Sequence, residues 1–465
     1  MLLKSHTSEP TGAGFATLRP KFLTSTFPNT THMPSMSTFT ARSVIQQCRL
    51  PLRHSGAAAG AAASSRPVYN SLPCHTKPAM APRKARPSGS NQTRHLSSTG
   101  PLDSRPHRFV YNVAASYIAK DHPFDPSTHI FHFSPYNRVS PPDRDPKRSK
   151  ASRPDSGQDA FFVSRIGDSA GSVALGVADG VGGWMDSGVD PADFSHAFCG
   201  YMAAHAYEHT SSPDERKPPK TTTLTARDLM QRGYESACSD PSITAGGSTA
   251  VVGLLDACRG VLEVANLGDS GFVHLRPNRV HARSPPQTHA FNTPYQLSVI
   301  PHSMMLRAAA FGGARLCDLP RDADVTRHSL RHGDVLVFAS DGLWDNLFDQ
   351  DVLRLVSGAM TKVGAWEATG GDGVRVAEDL TPYTQLDGAE DKGKPAAVTV
   401  QGLLATEIVA AAKAASVNQR LNGPFAKEVK KYYPHENWSG GKVDDICVIV
   451  AVVAETGDRD VKAKL

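Results

Sequence analysis

The sequence predicts an α+β protein, and three observations support this prediction. Short apolar runs rich in Val, Leu and Phe are bounded by Gly, Asp and Ser, which is typical of β-strands. Segments with apolar residues at helical spacing lie between these runs. Strands and helices follow one another in groups, whereas a parallel βαβ protein would alternate them regularly.

The apolar runs predict seven strands. They are Ala160–Ile166, Ser172–Ala178, Thr249–Leu255, Leu262–Leu267, Phe272–Leu275, Val335–Ala339 and Cys447–Val453. All are rich in Val, Leu and Phe and have strand-like lengths.

Four helices are predicted from spacing and capping. The first begins at Asp190-Pro191, because Asp is a favourable N-cap and Pro is tolerated at the first helical position. The second begins near Thr225, the third covers Asp351–Val356, and the Ala-rich fourth covers Leu403–Val417.

The composition excludes several protein classes. With 40% hydrophobic residues the chain can bury a sizeable core, but no apolar run is long enough to predict a transmembrane helix. The seven cysteines form no Cys-x-x-Cys pair, so reduced thiols are expected rather than a disulfide framework or a zinc site.

Charge separates a basic leader from an acidic body. Residues 1–100 contain twelve Lys or Arg and one acid, Glu9, so the remainder carries a net charge of −6. An acidic body argues against nucleic-acid binding.

The acid-poor leader, rich in Ser, Thr, Ala and Arg, favours a mitochondrial transit peptide, and Arg94-His95-Leu96-Ser97 resembles a mitochondrial cleavage site. A disordered tail without import and a chloroplast address are the alternatives.

The predicted organisation is a transit peptide and leader over 1–107, a domain over 108–456 and a C-terminal tail over 457–465. Within the domain, residues 137–158 are expected to form an exposed connection. Residues 364–398 are rich in Gly, Asp, Glu, Lys and Pro, and a mobile insertion is expected there.

Aspartates recur at the ends of the predicted strands. They are Asp159, Asp179, Asp269, Asp341 and Asp444, several of them next to a small residue. Carboxylates that converge at one edge repel each other and need a cation, and an all-oxygen set suits Mg²⁺ or Mn²⁺. A single Asp-Gly is commonly only a turn, but the recurrence favours a divalent-metal site.

At these residues the chain resembles the metal-dependent type 2C serine/threonine protein phosphatases, also called the PPM family. The matching blocks occur in the family's order: Gly157-Gln158-Asp159-Ala160, Val177-Ala178-Asp179-Gly180-Val181-Gly182-Gly183-Trp184, Gly247-Ser248-Thr249-Ala250, Ala265-Asn266-Leu267-Gly268-Asp269-Ser270, Ala339-Ser340-Asp341-Gly342-Leu343-Trp344-Asp345 and Asp444-Asp445-Ile446. The first Asp-Gly block and Phe291-Asn292-Thr293-Pro294-Tyr295-Gln296-Leu297 resemble the mitochondrial branch, which is associated with coenzyme Q biosynthesis.

The resemblance implies a central β-sandwich of two antiparallel sheets with helices on both outer faces, a four-layer αββα fold. It also implies a centre of two Mg²⁺ or Mn²⁺ ions, with a third weak site, in which a bridging hydroxide attacks phosphorus. By position, Asp179 would bridge the metals, the Gly180 carbonyl would bind one, and Asp341 and Asp444 would bind the other. Asp159 would hold metal-bound water, and Asp269 matches the third site.

Three positions depart from the family pattern. Gln158 stands where Glu is common, and Val181 replaces a His that is a proposed general acid. The phosphate-binding Arg has no clean counterpart: Arg153 is near, but an exposed loop arginine is the favoured interpretation.

The sequence therefore predicts a mitochondrial protein-serine/threonine phosphatase, located in the matrix. Its expected partners are phosphorylated mitochondrial proteins, with no nucleic acid and no membrane span, and it is expected to be a monomer. A catalytically weak or dead partner-binding relative and a hydrolase of small phosphate esters are the alternatives.

Overall fold

The computed structural model describes residues 108–209, 223–311, 318–371, 373–385 and 398–456. The predicted leader over 1–107 and the predicted tail over 457–465 lie outside the described residues.

Two antiparallel sheets form the centre of the described fold. The strands are β1 (Phe109–Ile118), β2 (Ile130–His132), β3 (Asp159–Ile166), β4 (Ser169–Asp179), β5 (Gly246–Ser248), β6 (Ala250–Asp256), β7 (Val261–Leu267), β8 (Gly271–Arg276), β9 (Arg279–Arg283), β10 (Thr288–Ala290), β11 (Thr293–Pro294), β12 (Leu297–Val299), β13 (Asp324–Ser329), β14 (Val335–Ala339), β15 (Trp366–Ala368), β16 (Val374–Val376) and β17 (Ile446–Glu455). One sheet has the order β2-β1-β17-β14-β8-β9 and the other the order β13-β7-β6-β4-β3. The remaining strands form two-stranded ribbons.

The helices occupy the connections between the strands. They are α1 (Pro146–Ala151), α2 (Pro191–Tyr207), α3 (Ala226–Ser239), α4 (His302–Phe311), α5 (Asp341–Trp344), α6 (Asp349–Val363), α7 (Thr381–Thr384), α8 (Val400–Ser416) and α9 (Pro424–Tyr432), with 3₁₀ turns at Gly182–Ser187 and Pro320–Asp322. Capping fixes the start of α2, where the Asp190 side chain accepts a hydrogen bond from the Ala192 N–H. In the described part of the chain, no helix has both the length and the apolar content needed to cross a bilayer.

The core has three layers of side chains, and the alternation along β14 shows how one strand serves two of them. Leu336 and Phe338 point into the interface between the two sheets. Val335 and Val337 point to the opposite face, where α6 and α8 cover the six-stranded sheet. This alternation follows from the two-residue period of a strand.

The five-stranded sheet is covered on its outer face by α2 and α3, through Phe198, Met202, Leu229 and Met230 among others. The layers are therefore helix, sheet, sheet and helix. The predicted α+β class and the four-layer sandwich are confirmed.

All seven predicted strands and all four predicted helices are present, with shifted ends except at β14. The predictions omit β1, which pairs with β17 from Phe109 opposite Glu455 to Ile118 opposite Ile446. The β1 residues that face the core between the sheets alternate with residues that include the polar Asn112 and Ser116. The strand therefore lacks the continuous apolar run that predicts the other strands. Helix α9 is also absent from the predictions, because it spans only nine residues and four of them are charged.

The described part of the predicted insertion over 364–398 contains regular structure. Strands β15 and β16 form a hairpin, and Trp366 is 1% exposed with its indole N–H donating to the Gly333 carbonyl at 3.2 Å. Leu380 is also buried. These buried apolar side chains anchor a segment whose composition is otherwise polar. Residues 386–397 lie outside the described part.

The connection over 137–158 contains the short helix α1, which buries none of its residues. It is tied to the start of α2 by ion pairs such as Lys150 to Asp190 at 3.1 Å. This segment is exposed for most of its length, as expected, but it includes a helix that was not predicted.

Replacing Trp366 with Ala is expected to lower the free energy of unfolding by about 3–5 kcal/mol, because it leaves a large cavity beside the sheet. Urea denaturation followed by circular dichroism measures this change. The control is Tyr136→Ala, at a side chain that is 73% exposed, where a change within about 0.5 kcal/mol is expected. Equal stability of the Trp366 variant and wild type would show that the hairpin is dispensable for folding.

Candidate metal centre

Strand ends bring the predicted aspartates to one end of the sandwich. Asp159 is the first residue of β3, and it lies opposite Asp179, the last residue of β4. Asp269 lies in the turn between β7 and β8, and Asp341 begins α5 two residues after β14 ends. Asp444 lies two residues before β17. Hydrogen-bonded strands place these residues without relying on long loops.

Three of the carboxylates form a compact group. Oxygen atoms of Asp179, Asp269 and Asp341 all lie within 4.8 Å of one another. Gly180 follows Asp179 directly, and its N–H donates to the Gln158 carbonyl at 3.1 Å. Asp159 and Asp444 lie outside this three-membered group.

Asp159 joins the group through a serine. Its carboxylate is 1% exposed and accepts a hydrogen bond at 2.5 Å from the Ser340 hydroxyl, one residue before Asp341. The same hydroxyl accepts from the Cys447 N–H at 3.1 Å. Ser340 therefore links the first strand of one sheet to the last strand of the other, a role that sequence reasoning missed.

The adjacent acids Asp444 and Asp445 have different partners. The Asp445 carboxylate accepts the backbone N–H groups of Lys120 and Gln158, both at 2.8 Å. These bonds tie the end of β1 and the start of β3 to β17, so Asp445 has a structural role. Asp444 instead faces the ammonium group of Lys442, at 3.1 Å.

Lys442 is the main residue of the acidic cluster that the sequence analysis missed. Its Nζ contacts Asp341, lies 2.8 Å from Asp345 and contacts Asp444. Among the described residues, no other cationic side chain forms an ion pair with the five predicted aspartates. Its place in the loop just before Asp444-Asp445 was the available signal.

The electrostatic environment disfavours ionisation of the cluster. Burial and the neighbouring Asp341 carboxylate raise the pKa of both Asp179 and Asp269 well above its ordinary value. Burial raises the pKa of Asp345 to about 7, although Lys442 opposes this shift. Burial lowers the pKa of Lys442, but the carboxylates of Asp341, Asp345 and Asp444 outweigh it, so the net shift is upward.

The donor set fits a hard divalent cation. Among the described side chains, one oxygen of Asp159 and one of Asp269 are buried without a hydrogen-bond partner. Buried polar atoms are rarely left unpaired. Unpaired carboxylate oxygens in and beside the group of Asp179, Asp269 and Asp341 suit Mg²⁺ or Mn²⁺, which prefer oxygen.

The three departures from the family pattern have clear structural positions. Arg153 was favoured as an exposed loop residue, but its side chain is only 14% exposed and pairs with Asp193 at 2.6 Å. Helix α2 carries this carboxylate in its first turn, where it holds Arg153 in place. The Gln158 amide contacts the Met185 sulfur at 2.9 Å, and the Val181 N–H donates to the Gly247 carbonyl.

Comparison with known proteins identifies the family. The chain is 30% identical over 317 residues to "Protein phosphatase 2C homolog 7, mitochondrial" of Saccharomyces cerevisiae, covering 67% of this chain and 80% of that protein. It is 33% identical over 298 residues to "Protein phosphatase PTC7 homolog fig" of Drosophila yakuba, covering 64% and 76%. The chain belongs to the type 2C protein phosphatases. The resemblance read from the sequence and the predicted enzyme class, a protein-serine/threonine phosphatase, are both confirmed.

No protein-family model matches this phosphatase. Among solved structures, the photosystem II phosphatase PBCP is 23% identical, with a TM-score of 0.46, covering 75% of this chain and 99% of that chain.

In the metal-free phosphatase, Asp179→Asn is expected to raise the melting temperature by about 2 °C or more, because it removes one like charge from the cluster. Asp341→Asn serves as the matched comparison, since it also removes the ion pair with Lys442 and is expected to give no gain. Thermal unfolding in EDTA, followed by circular dichroism, measures both. A lower melting temperature for Asp179→Asn would mean that its carboxylate is stabilised by its surroundings.

Proposed function

We propose that this protein is a mitochondrial metal-dependent phosphatase that hydrolyses phosphoserine and phosphothreonine at the acidic end of the sandwich. The observation that carries the proposal is the convergence of Asp179, Asp269 and Asp341 within 4.8 Å. Protein substrates follow from membership of the type 2C family.

The proposed ligands are the residues that the resemblance assigned by position. Asp179, the Gly180 carbonyl, Asp341 and Asp444 would hold two Mg²⁺ or Mn²⁺ ions, with Asp159 holding water and Asp269 completing a third, weaker site. When bound, such cations lower the pKa of water and neutralise phosphate charge. The proposed catalytic residues are Asp179, Asp341 and Asp444.

The protein's own residues fix this arrangement. Ser340 orients the Asp159 carboxylate through its 2.5 Å hydrogen bond, and Asp445 anchors the loop that carries Asp444 through two backbone N–H donors. Positioned carboxylates need no reorganisation when the reaction begins, which is the main source of electrostatic catalysis.

The two buried cysteines, Cys199 and Cys447, do not suggest a covalent mechanism. Burial raises the pKa of the Cys199 thiol and of the Cys447 thiol, so neither is a reactive thiolate near neutral pH. This environment supports direct attack by water on phosphorus over a phosphocysteine intermediate.

A mitochondrial location is proposed from two observations. The yeast relative is named as mitochondrial, and the first 100 residues contain twelve basic residues and one acid. The matrix is the proposed compartment. Resemblance to the branch associated with coenzyme Q biosynthesis further suggests phosphoproteins of that process as substrates, which phosphoproteomics of mitochondria lacking this protein tests.

Hydrolysis of p-nitrophenyl phosphate and of a phosphothreonine peptide is expected to require Mn²⁺ or Mg²⁺. Asp179→Asn and Asp341→Asn are each expected to lower turnover at least ~10²-fold, the scale on which lost electrostatic stabilisation acts. Initial rates at saturating Mn²⁺ and in excess EDTA measure both effects.

The matched control is Asp168→Asn, an exposed aspartate in the turn between β3 and β4, at the opposite end of those strands from Asp159 and Asp179. It is expected to retain wild-type turnover. Full activity in EDTA, or near-normal activity of either site variant, contradicts the proposed metal centre.

Import into mitochondria is expected to remove the leader. N-terminal sequencing of protein purified from mitochondria should find a start between residues 97 and 107, after the Arg94-His95-Leu96 segment. A mature chain that begins at Met1 or Leu2 contradicts the proposed transit peptide.

A further inference from the structure

The side chain of Lys442 extends into the candidate metal centre. Its ammonium contacts Asp341 and Asp444, both proposed ligands, and lies 2.8 Å from Asp345. The side chain is 12% exposed, and its Nζ lies 5.7 Å from the centre of the Phe425 ring. The ammonium is therefore enclosed by carboxylates and an aromatic face.

The main chain of Lys442 is held in place, so movement is restricted to the side chain. Its N–H donates to the Asn346 side chain at 3.0 Å, and the Asn346 amide donates to its carbonyl at 2.8 Å. The same amide donates to Gly342 at 2.9 Å, which fastens the loop to α5. Asn346 is 1% exposed, so this clamp is shielded from water.

Asp341 has two competing roles in this arrangement. It belongs to the group with Asp179 and Asp269, whose oxygens lie within 4.8 Å of one another, and it also pairs with Lys442. An ammonium and a divalent cation on the same carboxylate repel each other at short distance in a buried site. Either the ammonium group or the divalent cation must be displaced from the carboxylate, or the binding of both is weakened.

We propose that Lys442 is an internal cation that neutralises the acidic cluster when no metal is bound and competes with divalent metal for Asp341 and Asp444. This inference rests on the proposed metal centre and adds a device that sets its metal affinity. Metal binding then requires the Lys442 side chain to leave the carboxylates, and the metal-free protein is stabilised by the same contacts.

The first experiment titrates Mn²⁺ into the metal-free full chain by isothermal calorimetry at one fixed pH. Lys442→Met keeps the chain length and removes the charge, and it is expected to bind Mn²⁺ at least ~10-fold more tightly than wild type, because a competing positive charge is gone. Its metal-free melting temperature is expected to fall, and its rise on adding Mn²⁺ is expected to exceed that of wild type.

Two control variants distinguish competition between Lys442 and Mn²⁺ from a general effect of the protein's net charge. Lys431→Met removes the same charge from a side chain that is 68% exposed on α9, and it is expected to bind Mn²⁺ as wild type does. Lys442→Arg keeps the charge and is expected to bind Mn²⁺ no more tightly than wild type.

A second measurement needs no variant. An amine-acylating reagent, with mass spectrometry, reports the reactivity of Lys442 in the wild-type chain. Mn²⁺ is expected to increase labelling of Lys442 and to leave labelling of Lys431 unchanged, because only Lys442 is released. Unchanged or reduced labelling of Lys442 while calorimetry shows Mn²⁺ binding overturns the inference.

The outcomes distinguish this inference from the proposed function. Mn²⁺ binding by wild type with no tighter binding by Lys442→Met overturns the competition and leaves the metal centre standing. If wild type and Lys442→Met both bind no Mn²⁺, the metal centre and the competition are both wrong.

Discussion

Repulsion between carboxylates is the constraint on which the functional end of this protein depends. Asp159, Asp179, Asp269, Asp341 and Asp444 converge there, and burial strengthens their mutual repulsion because it excludes water. Such a cluster folds only if its charge is neutralised or its oxygens are hydrogen-bonded. The structure uses both means: Lys442 supplies positive charge to one side, and Ser340 supplies a hydroxyl to Asp159.

The sandwich explains how these carboxylates can be held so close. Asp159 and Asp179 end strands of the five-stranded sheet, whereas Asp341 and Asp444 adjoin strands of the six-stranded sheet. Asp269 lies where the chain passes from one sheet to the other. The core between the sheets therefore sets the distance between the aspartates of one sheet and those of the other. This core includes the stacked rings of Phe272 and Phe338, whose centres are 5.5 Å apart. Close packing makes that spacing rigid.

Lys442 also affects the stability of the metal-free protein. Its contacts with Asp341, Asp345 and Asp444 neutralise part of the cluster before any cation arrives. The pairing stabilises the folded chain and weakens the hold of the same carboxylates on a metal. A balance of this kind allows a site of high negative charge to fold without metal and still bind one.

The sequence alone determined seven of the described strands, four of the described helices and the candidate ligands, because these depend on local pattern. Apolar runs that end in Asp-Gly identified β4, and a run ending in Ser-Asp-Gly identified β14 and Asp341. Only the tertiary structure decided which carboxylate oxygens lie close together and which groups neutralise or hydrogen-bond them. Asp444 and Asp445 are adjacent and chemically identical, yet one faces Lys442 and the other binds backbone N–H groups. Trp366 likewise gave no local sign that it anchors its hairpin to the sheet. These outcomes depend on contacts between residues distant in the chain, which a strand or helix period does not encode.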